Sequence, residues 1–297
     1  MKEFKDKVAV ITGAASGIGL GIARKAAKEG MKVVVADIEK DALEKTREEL
    51  KESGTDVISV LADVSKSENI ENLAKKTIDA FGEVHLLCNN AGVAAPGPLW
   101  ECILSDFSWV IGVNLWGVIH GIRTFIPIML QQDNECHIVN TSSINGILPG
   151  DPFIAIYSIT KHGIVSLSES LRASFAQNKA KIGISVFCPA LVNTRIAHSE
   201  RNRPAEFRGE DYMPSMDRFI QNHPEAEKAV RGLPKLWENG SPANRSGDIV
   251  FEAIKNNIFY IFSEIGLVWK KGMKSRFDGI WDDYNKCKPI IKELKSK

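Results

Sequence analysis

Tyr157 and Lys161 stand four residues apart in the run Tyr157-Ser-Ile-Thr-Lys161. On a helix that spacing puts both side chains on one face, about a turn apart. An ammonium beside a phenol stabilises the phenolate and pulls its pKa down from about 10, which suits proton exchange with a substrate oxygen. Upstream, Ser143 of the pair Ser142-Ser143 offers a hydroxyl that can hold such an oxygen near the phenol. As a bare pattern Tyr-x-x-x-Lys usually marks a solvated helix face. Its weight comes from what precedes it.

What precedes it is a glycine-rich turn, Thr12-Gly13-Ala-Ala-Ser16-Gly17-Ile18-Gly19, which closes one apolar run and opens a helical one. Glycines permit the tight turn and the close approach of a ligand, and the helix N-terminus offers free N–H groups to a pyrophosphate. The bland alternative is an ordinary tight turn. Asp37 closes the second apolar run, 18 residues after Gly19. A carboxylate there accepts hydrogen bonds from ribose hydroxyls and repels a 2′-phosphate, and no Arg or Lys occupies Ala14, Ala15 or Ile38 to neutralise one. The pair of motifs points to NAD rather than NADP; the bland reading of Asp37 is a helix cap before Ile38-Glu39. Asp63-Val64 and Asn89-Asn90-Ala91-Gly92 end the third and fourth apolar runs, where ligands gather in open α/β sheets.

The elements that must carry these residues alternate. Strands are predicted near Lys7–Thr12, Lys32–Asp37, Asp56–Leu61, Val84–Cys88, Cys136–Thr141, Gly183–Cys188 and Ile258–Phe262. Helices are predicted over Gly17–Glu29, Lys40–Glu52, Ser67–Phe81, Phe107–Leu130, Ala155–Asn178 and about Ala243–Lys255. Uniformly apolar strands between amphipathic helices indicate a parallel sheet covered on both faces. The 297 residues are 44% apolar and carry a net charge of +1, which gives no electrostatic case for nucleic acid or an anionic membrane. The five cysteines form no CxxC pair and no metal-ligand spacing, so reduced thiols, no metal and a cytoplasmic location are expected. Met1–Lys7 lacks the apolar core of a leader. Val110–Leu130 has nearly the length of a membrane span, but Asn114, His120, Arg123 and Pro127 favour a buried helix.

Two regions break the alternation. Residues 195–240 form a polar, Pro-punctuated insertion, too long for an idle connection and read as a substrate lid, mobile until ligands bind. Residues 265–297 follow, with Trp269, Met273, Phe277, Ile280, Trp281 and Tyr284 at helical spacing, an amphipathic helix that must pack on something. Ala94, Ala95, Trp100, Ile147, Phe153 and Ile154, with Phe207, Tyr212, Met213, Met216 and Phe219 from the lid, are expected to border an apolar pocket. The alternative is that they only pack the lid down.

Taken in order, these motifs resemble those of the classical short-chain dehydrogenase/reductase family, over about Lys7 to Phe262. The resemblance implies that Gly13, Ser16, Gly17, Ile18 and Gly19 hold the cofactor, that Asp63 and Val64 contact its adenine, and that Asn90, Ala91 and Gly92 support the central sheet beside it. It implies a catalytic set of Asn114, Ser143, Tyr157 and Lys161. Ser143 would polarise the substrate oxygen and Tyr157 move the proton. Lys161 would bind the nicotinamide ribose and lower the phenol pKa, and Asn114 would hold a relay water. Pro189, Val192 and Thr194 resemble the segment that anchors the carboxamide. Three departures stand out. Ala190 replaces a usual glycine; Ser143 lies 14 residues before Tyr157, one more than usual, which keeps Ser142 open; and the helical tail replaces a glycine-rich ending.

The expected fold is therefore α/β: a single doubly wound parallel sheet of Rossmann type spanning 1–297, with an inserted lid and a C-terminal helical tail. The expected function is hydride transfer between NAD(H) and a bulky, mostly apolar secondary alcohol or ketone of aryl, steroid or terpenoid type, in a homo-oligomer, dimer or tetramer. Two rivals are a sugar-nucleotide-modifying enzyme, which should have a more basic pocket, and a non-catalytic NAD-sensing protein, which should lack Tyr157 or Lys161.

Overall fold

The apolar runs lie side by side as seven parallel strands in a computed structural model that describes residues 1–210 and 212–295. Asp211 in the expected lid, and Ser296 and Lys297 at the end of the expected tail, lie outside the described residues. The strands are β1 (Val8–Thr12), β2 (Lys32–Asp37), β3 (Val57–Leu61), β4 (Leu86–Asn89), β5 (Cys136–Thr141), β6 (Ile182–Cys188) and β7 (Tyr260–Phe262), in the order β3-β2-β1-β4-β5-β6-β7. The order reverses between β1 and β4, and the crevice at their carboxyl ends is where a doubly wound sheet takes its ligand.

Strand side chains alternate in direction, so a strand covered on both faces is apolar throughout. Val8 and Val10 of β1 face one core with Leu73, Phe125 and Phe175, while Ala9 and Ile11 face the other with Ile22, Phe251 and Ile254. The second face is covered by α1 (Gly17–Lys28), α2 (Lys40–Glu52) and α10 (Ala243–Lys255). The first is covered by α3 (Ser67–Phe81), α5 (Gly117–Gln132) and α6 (Ala155–Gln177). α4 (Leu104–Ile111) runs into α5 through a π turn at Gly112–Trp116. The combined helix is long and apolar enough to cross a membrane, but Val118, Ile122, Phe125 and Met129 of α5 are buried in the core.

The chain leaves the sheet after β6 and returns through a narrow neck. Val192 bridges Ser241; the Asn193 amide donates to the Ser241 carbonyl and the Ser241 amide to the Leu191 carbonyl, both at 2.9 Å. Between them the expected lid is helical, with α7 (Ser215–Asn222), α8 (Glu227–Gly232) and α9 (Pro234–Glu238) after two short 3₁₀ turns. Its first part is nailed to α4. The Asp106 carboxylate, fully buried, receives both the Arg203 guanidinium at 2.7 Å and that of Arg218. Arg203 also pairs with Glu200, which the Tyr212 hydroxyl reaches too, and His223 bonds Glu101 at 2.8 Å. Among the described residues, no ion pair from α8 or α9 reaches beyond the insertion. The tail is α11 (Leu267–Lys295), rooted on the core by Met273 and by an Arg276 hydrogen bond to the Ile147 carbonyl at 2.7 Å.

Candidate active site

At the end of β1 the chain turns into α1 through Gly13 (φ +65°) and Gly17 (φ +54°), conformations open to glycine at no steric cost. A Cβ on Gly13 would sit 2.8 Å from the Ala91 Cα, and one on Gly17 3.0 Å from the Thr194 Cγ2, so both hydrogens keep a cradle open. Ser16 caps α1 without a side-chain hydrogen bond, and the first turn carries no acid. Its amides are thus available to an anion. The walls of this cleft include Gly13, Ser16, Gly17, Ile18, Asp37, Asp63, Val64, Asn90, Ala91, Gly92, Pro189 and Thr194, together with Tyr157 and Lys161. Every one of these belongs to the expected cofactor set. Gly19 is the third residue of α1, where a Cβ would strike the Gly13 carbonyl at 2.1 Å. Val192 is buried at the neck and lines the adjoining cavity instead.

Asp37 organises the backbone around it. Its carboxylate accepts from the Ala15 amide at 2.9 Å and from the Glu39 amide at 3.0 Å, fixing the turn and the start of α2 while facing the cleft. Burial pushes its pKa up, against the pull of those amides. Ala14, Ala15 and Ile38 bring no basic group to it, but the insertion does. Arg195 and Arg201 enter the same cleft from the insertion, 158 and more residues away in sequence and so invisible to local reading. Glu39 takes up both, at 3.2 Å and 2.7 Å.

Asn90 ties three strands. Its side-chain amide donates to the Thr12 and Gly13 carbonyls at 3.1 and 3.3 Å, and its carbonyl accepts from the Thr141 hydroxyl at 3.3 Å. Asp63 closes its own turn, accepting from the Ser65 amide and hydroxyl. Asn114 sits fully buried in the π turn, where its carboxamide exchanges bonds of 2.8 and 2.9 Å with the Val93 backbone and donates to Thr160 at 3.1 Å. The π turn itself left no mark in the periodicity.

The two serines separate cleanly. The Ser142 hydroxyl donates to the Lys161 carbonyl at 2.7 Å and is enclosed by Gly146 and α6, whereas Ser143 begins a 3₁₀ turn, its hydroxyl accepting from the Asn145 amide at 3.2 Å and standing within reach of the Tyr157 phenol. Lys161 is one turn from Tyr157 on α6, its ammonium 5.3 Å from the ring centroid and donating to the Thr141 carbonyl at 2.9 Å. The expected lowering of the phenol pKa does not follow from this geometry alone. Burial dominates: it pushes Tyr157 up to about 12, despite the Ser143 hydrogen bond, and Lys161 down to about 8. Ala190 keeps a negative φ, so its methyl group introduces no backbone strain.

Tyr157 stands where the cleft opens into a second cavity of about 360 Å³. Ser143 lines that cavity, with Ala94, Phe153, Ile154, Leu191 and Met216, so proton donor, hydroxyl and apolar volume share one space.

Comparison with known proteins agrees with this geometry. A family model for short chain dehydrogenases matches residues 7–205. The chain belongs to the short-chain dehydrogenase/reductase family. It is 36% identical over 265 residues to the CLA biosynthesis dehydrogenase/reductase of Lactiplantibacillus plantarum, covering 89% of this chain and 90% of the relative. It is 37% identical to the 1-deoxy-11-beta-hydroxypentalenate dehydrogenase of Streptomyces avermitilis, covering 94% and 91%. A short chain dehydrogenase/reductase from Burkholderia phymatum, solved in complex with NAD, matches with a TM-score of 0.82 at 43% identity, covering 89% and 91%.

In this short-chain dehydrogenase the matched span stops inside the insertion, and there the reading of side chains was least accurate. Trp100 is 83% exposed and Ala95 lies in a separate small core with Trp109, against which Phe207 packs. Ile147 belongs to the main core; Tyr212 and Met213 serve the Arg203 and Arg218 network; and Phe219 reaches the cavity only by packing edge-on against Phe153 at 5.0 Å. Leu233, Leu236, Trp237 and, from α11, Trp269 line it instead. Asn145, Asp151 and Thr194 are polar points of its lining beyond Ser143 and Tyr157.

Proposed function

We propose that this chain, acting as one domain, transfers a hydride between NAD(H) and a bulky, mostly apolar secondary alcohol or its ketone. The observation that carries this reading is the meeting of the Tyr157 and Ser143 hydroxyls at the junction of the two cavities. The cofactor, when bound, supplies the hydride acceptor or donor. Ser143 donates to the substrate oxygen and holds it beside Tyr157, which gives its proton to a ketone or takes one from an alcohol. Lys161 keeps positive charge near the phenol, and Asn114, fixed by the Val93 backbone and Thr160, would hold the water that returns its proton. Asp37 at the ribose end, with Arg195 and Arg201 already paired to Glu39, favours NAD over NADP.

The apolar lining and the volume support a large substrate, and the hydroxypentalenate dehydrogenase among the relatives is compatible with one. Among the described residues that lining carries no basic side chain, which speaks against a nucleotide diphosphate sugar. The test is Tyr157→Phe, assayed by NADH absorbance on a panel of aryl, steroid and terpenoid alcohols. Turnover should fall at least about 10²-fold while NADH still binds. A Phe variant keeping a third of wild-type turnover would remove Tyr157 from the chemistry. In the wild type, kcat/KM should favour NAD at least about tenfold, roughly 1.4 kcal/mol.

A further inference from the structure

Among the described residues, α11 meets the core at its root. Trp269 lines the apolar cavity, Met273 packs on the core and Arg276 bonds the Ile147 carbonyl, all on one face of the helix. Beyond Arg276 that face is bare, with Phe277 60%, Trp281 61% and Leu294 66% exposed. Yet it is not patterned as a solvated helix. Met273, Phe277, Ile280, Tyr284, Cys287, Ile291 and Leu294 follow one another in alternating steps of four and three. That is the narrow seam of a coiled coil, which closes only against another helix.

The charges beside the seam select the partner. Asp278, Asp282 and Asp283 occupy its first half, and Lys286, Lys288, Lys292 and Lys295 its second. With Glu293 the acids equal the lysines, so 277–295 is neutral. Helices that lie on anionic membranes are instead rich in Lys and Arg along the polar face. Antiparallel pairing with the same segment lays the acidic half on the basic half. It also clears the root, because a partner running the opposite way ends where this chain's own core takes over the seam. Aromatic side chains bury about 150–250 Å² each when covered, so Phe277, Trp281 and Tyr284 with the flanking aliphatics approach the ~800 Å² per partner of a stable interface.

We propose that residues 277–295 of α11 pair antiparallel with the same residues of a second copy of this chain, Phe277 facing the partner's Leu294 and Ile280 the partner's Ile291. The pairing is independent of the reaction assigned above. It is tested on the full chain by sedimentation equilibrium. Ile280→Asp and, separately, Ile291→Asp should each halve the mass of the assembly and raise the dissociation constant at least about 100-fold. Both positions are more than half exposed, at 58% and 51%, so the dilute variants should melt as the wild type does. In a Cys287→Ser background, Ile280→Cys combined with Ile291→Cys should form interchain disulfides under copper phenanthroline, and neither single cysteine should. Unchanged mass in both Asp variants overturns the pairing, and cross-linking by the single cysteines overturns its direction. A wild type that stays at single-chain mass and sediments with phosphatidylcholine–phosphatidylserine vesicles overturns it in favour of a membrane.

Discussion

Along the carboxyl ends of β1, β4 and β5 the cleft is tied by neutral amides and hydroxyls, while across from them the insertion is tied by charge. On the sheet side Asn90 reaches the Thr12 and Gly13 carbonyls, the Asn89 amide donates to Asn140 at 2.9 Å, and Asn140 donates to Ser168 at 3.1 Å. Each such bond contributes about 0.5–1.5 kcal/mol, and the strands hold their ends in place without any single one. On the insertion side one fully buried carboxylate, Asp106, faces two guanidinium groups, that of Arg203 buried with it and that of Arg218 partly exposed. Neutral redundancy therefore positions the chemistry, and the first part of the insertion leans most heavily on one buried carboxylate.

The largest effect should come from breaking that single point. Asp106→Ala leaves Arg203, whose side chain is fully buried, without its main counter-charge. Losing one partner of a buried pair costs about 3–5 kcal/mol, so the chemical denaturation midpoint should drop sharply. KM for a bulky alcohol should rise with it, while NADH affinity, read by fluorescence titration, should stay within about threefold. An equal loss of NADH affinity would mean that the two sides fold as one unit.

A second effect belongs to the sheet side alone. Tyr157, pushed up to about 12, is protonated at neutral pH, so ketone reduction should be nearly flat there. Alcohol oxidation needs the phenolate, whose population grows about tenfold per pH unit below the pKa, so its rate should rise with pH. The slope should slacken above about 8, where Lys161 gives up the proton that favours the phenolate. Measured pH profiles in both directions decide this; an oxidation rate independent of pH from 6 to 9 would remove the buried phenol from control.

The smallest effect is local to the wall. Trp237→Ala removes apolar surface from the cavity, and losing one aromatic contact is worth about 1.5–3 kcal/mol. KM for bulky alcohols should rise about tenfold or more and that for small alcohols little. Equal changes for both would make Trp237 a packing residue.

These contrasts also account for what could be read from the chain alone. Tyr157 and Lys161 share a helix face by spacing, and the glycine turn sits between a strand and a helix, so their roles depend on neighbours in sequence. Asn114 needed a π turn that apolar periodicity does not register. Asp106 meets Arg203 across 97 residues, and Trp269 reaches the cavity from the tail; neither contact has a local signature. Trp100 failed for a simpler reason: an apolar residue in a loop carries no sign of which side it faces.

The neck at Val192 and Ser241 has a consequence for how this enzyme can change. Because the excursion leaves and re-enters the fold at one bridged point, its ends are already joined whatever lies between. The entropy of closing a loop grows only with the logarithm of its length, about 0.6 kcal/mol for each doubling. Segments of quite different length and composition can thus be exchanged at that point for nearly the same conformational cost, leaving the strand ends and their hydride chemistry untouched. Exchange at this one joint would let such a chain acquire a new substrate in a single recombination step, without having to re-evolve its catalyst.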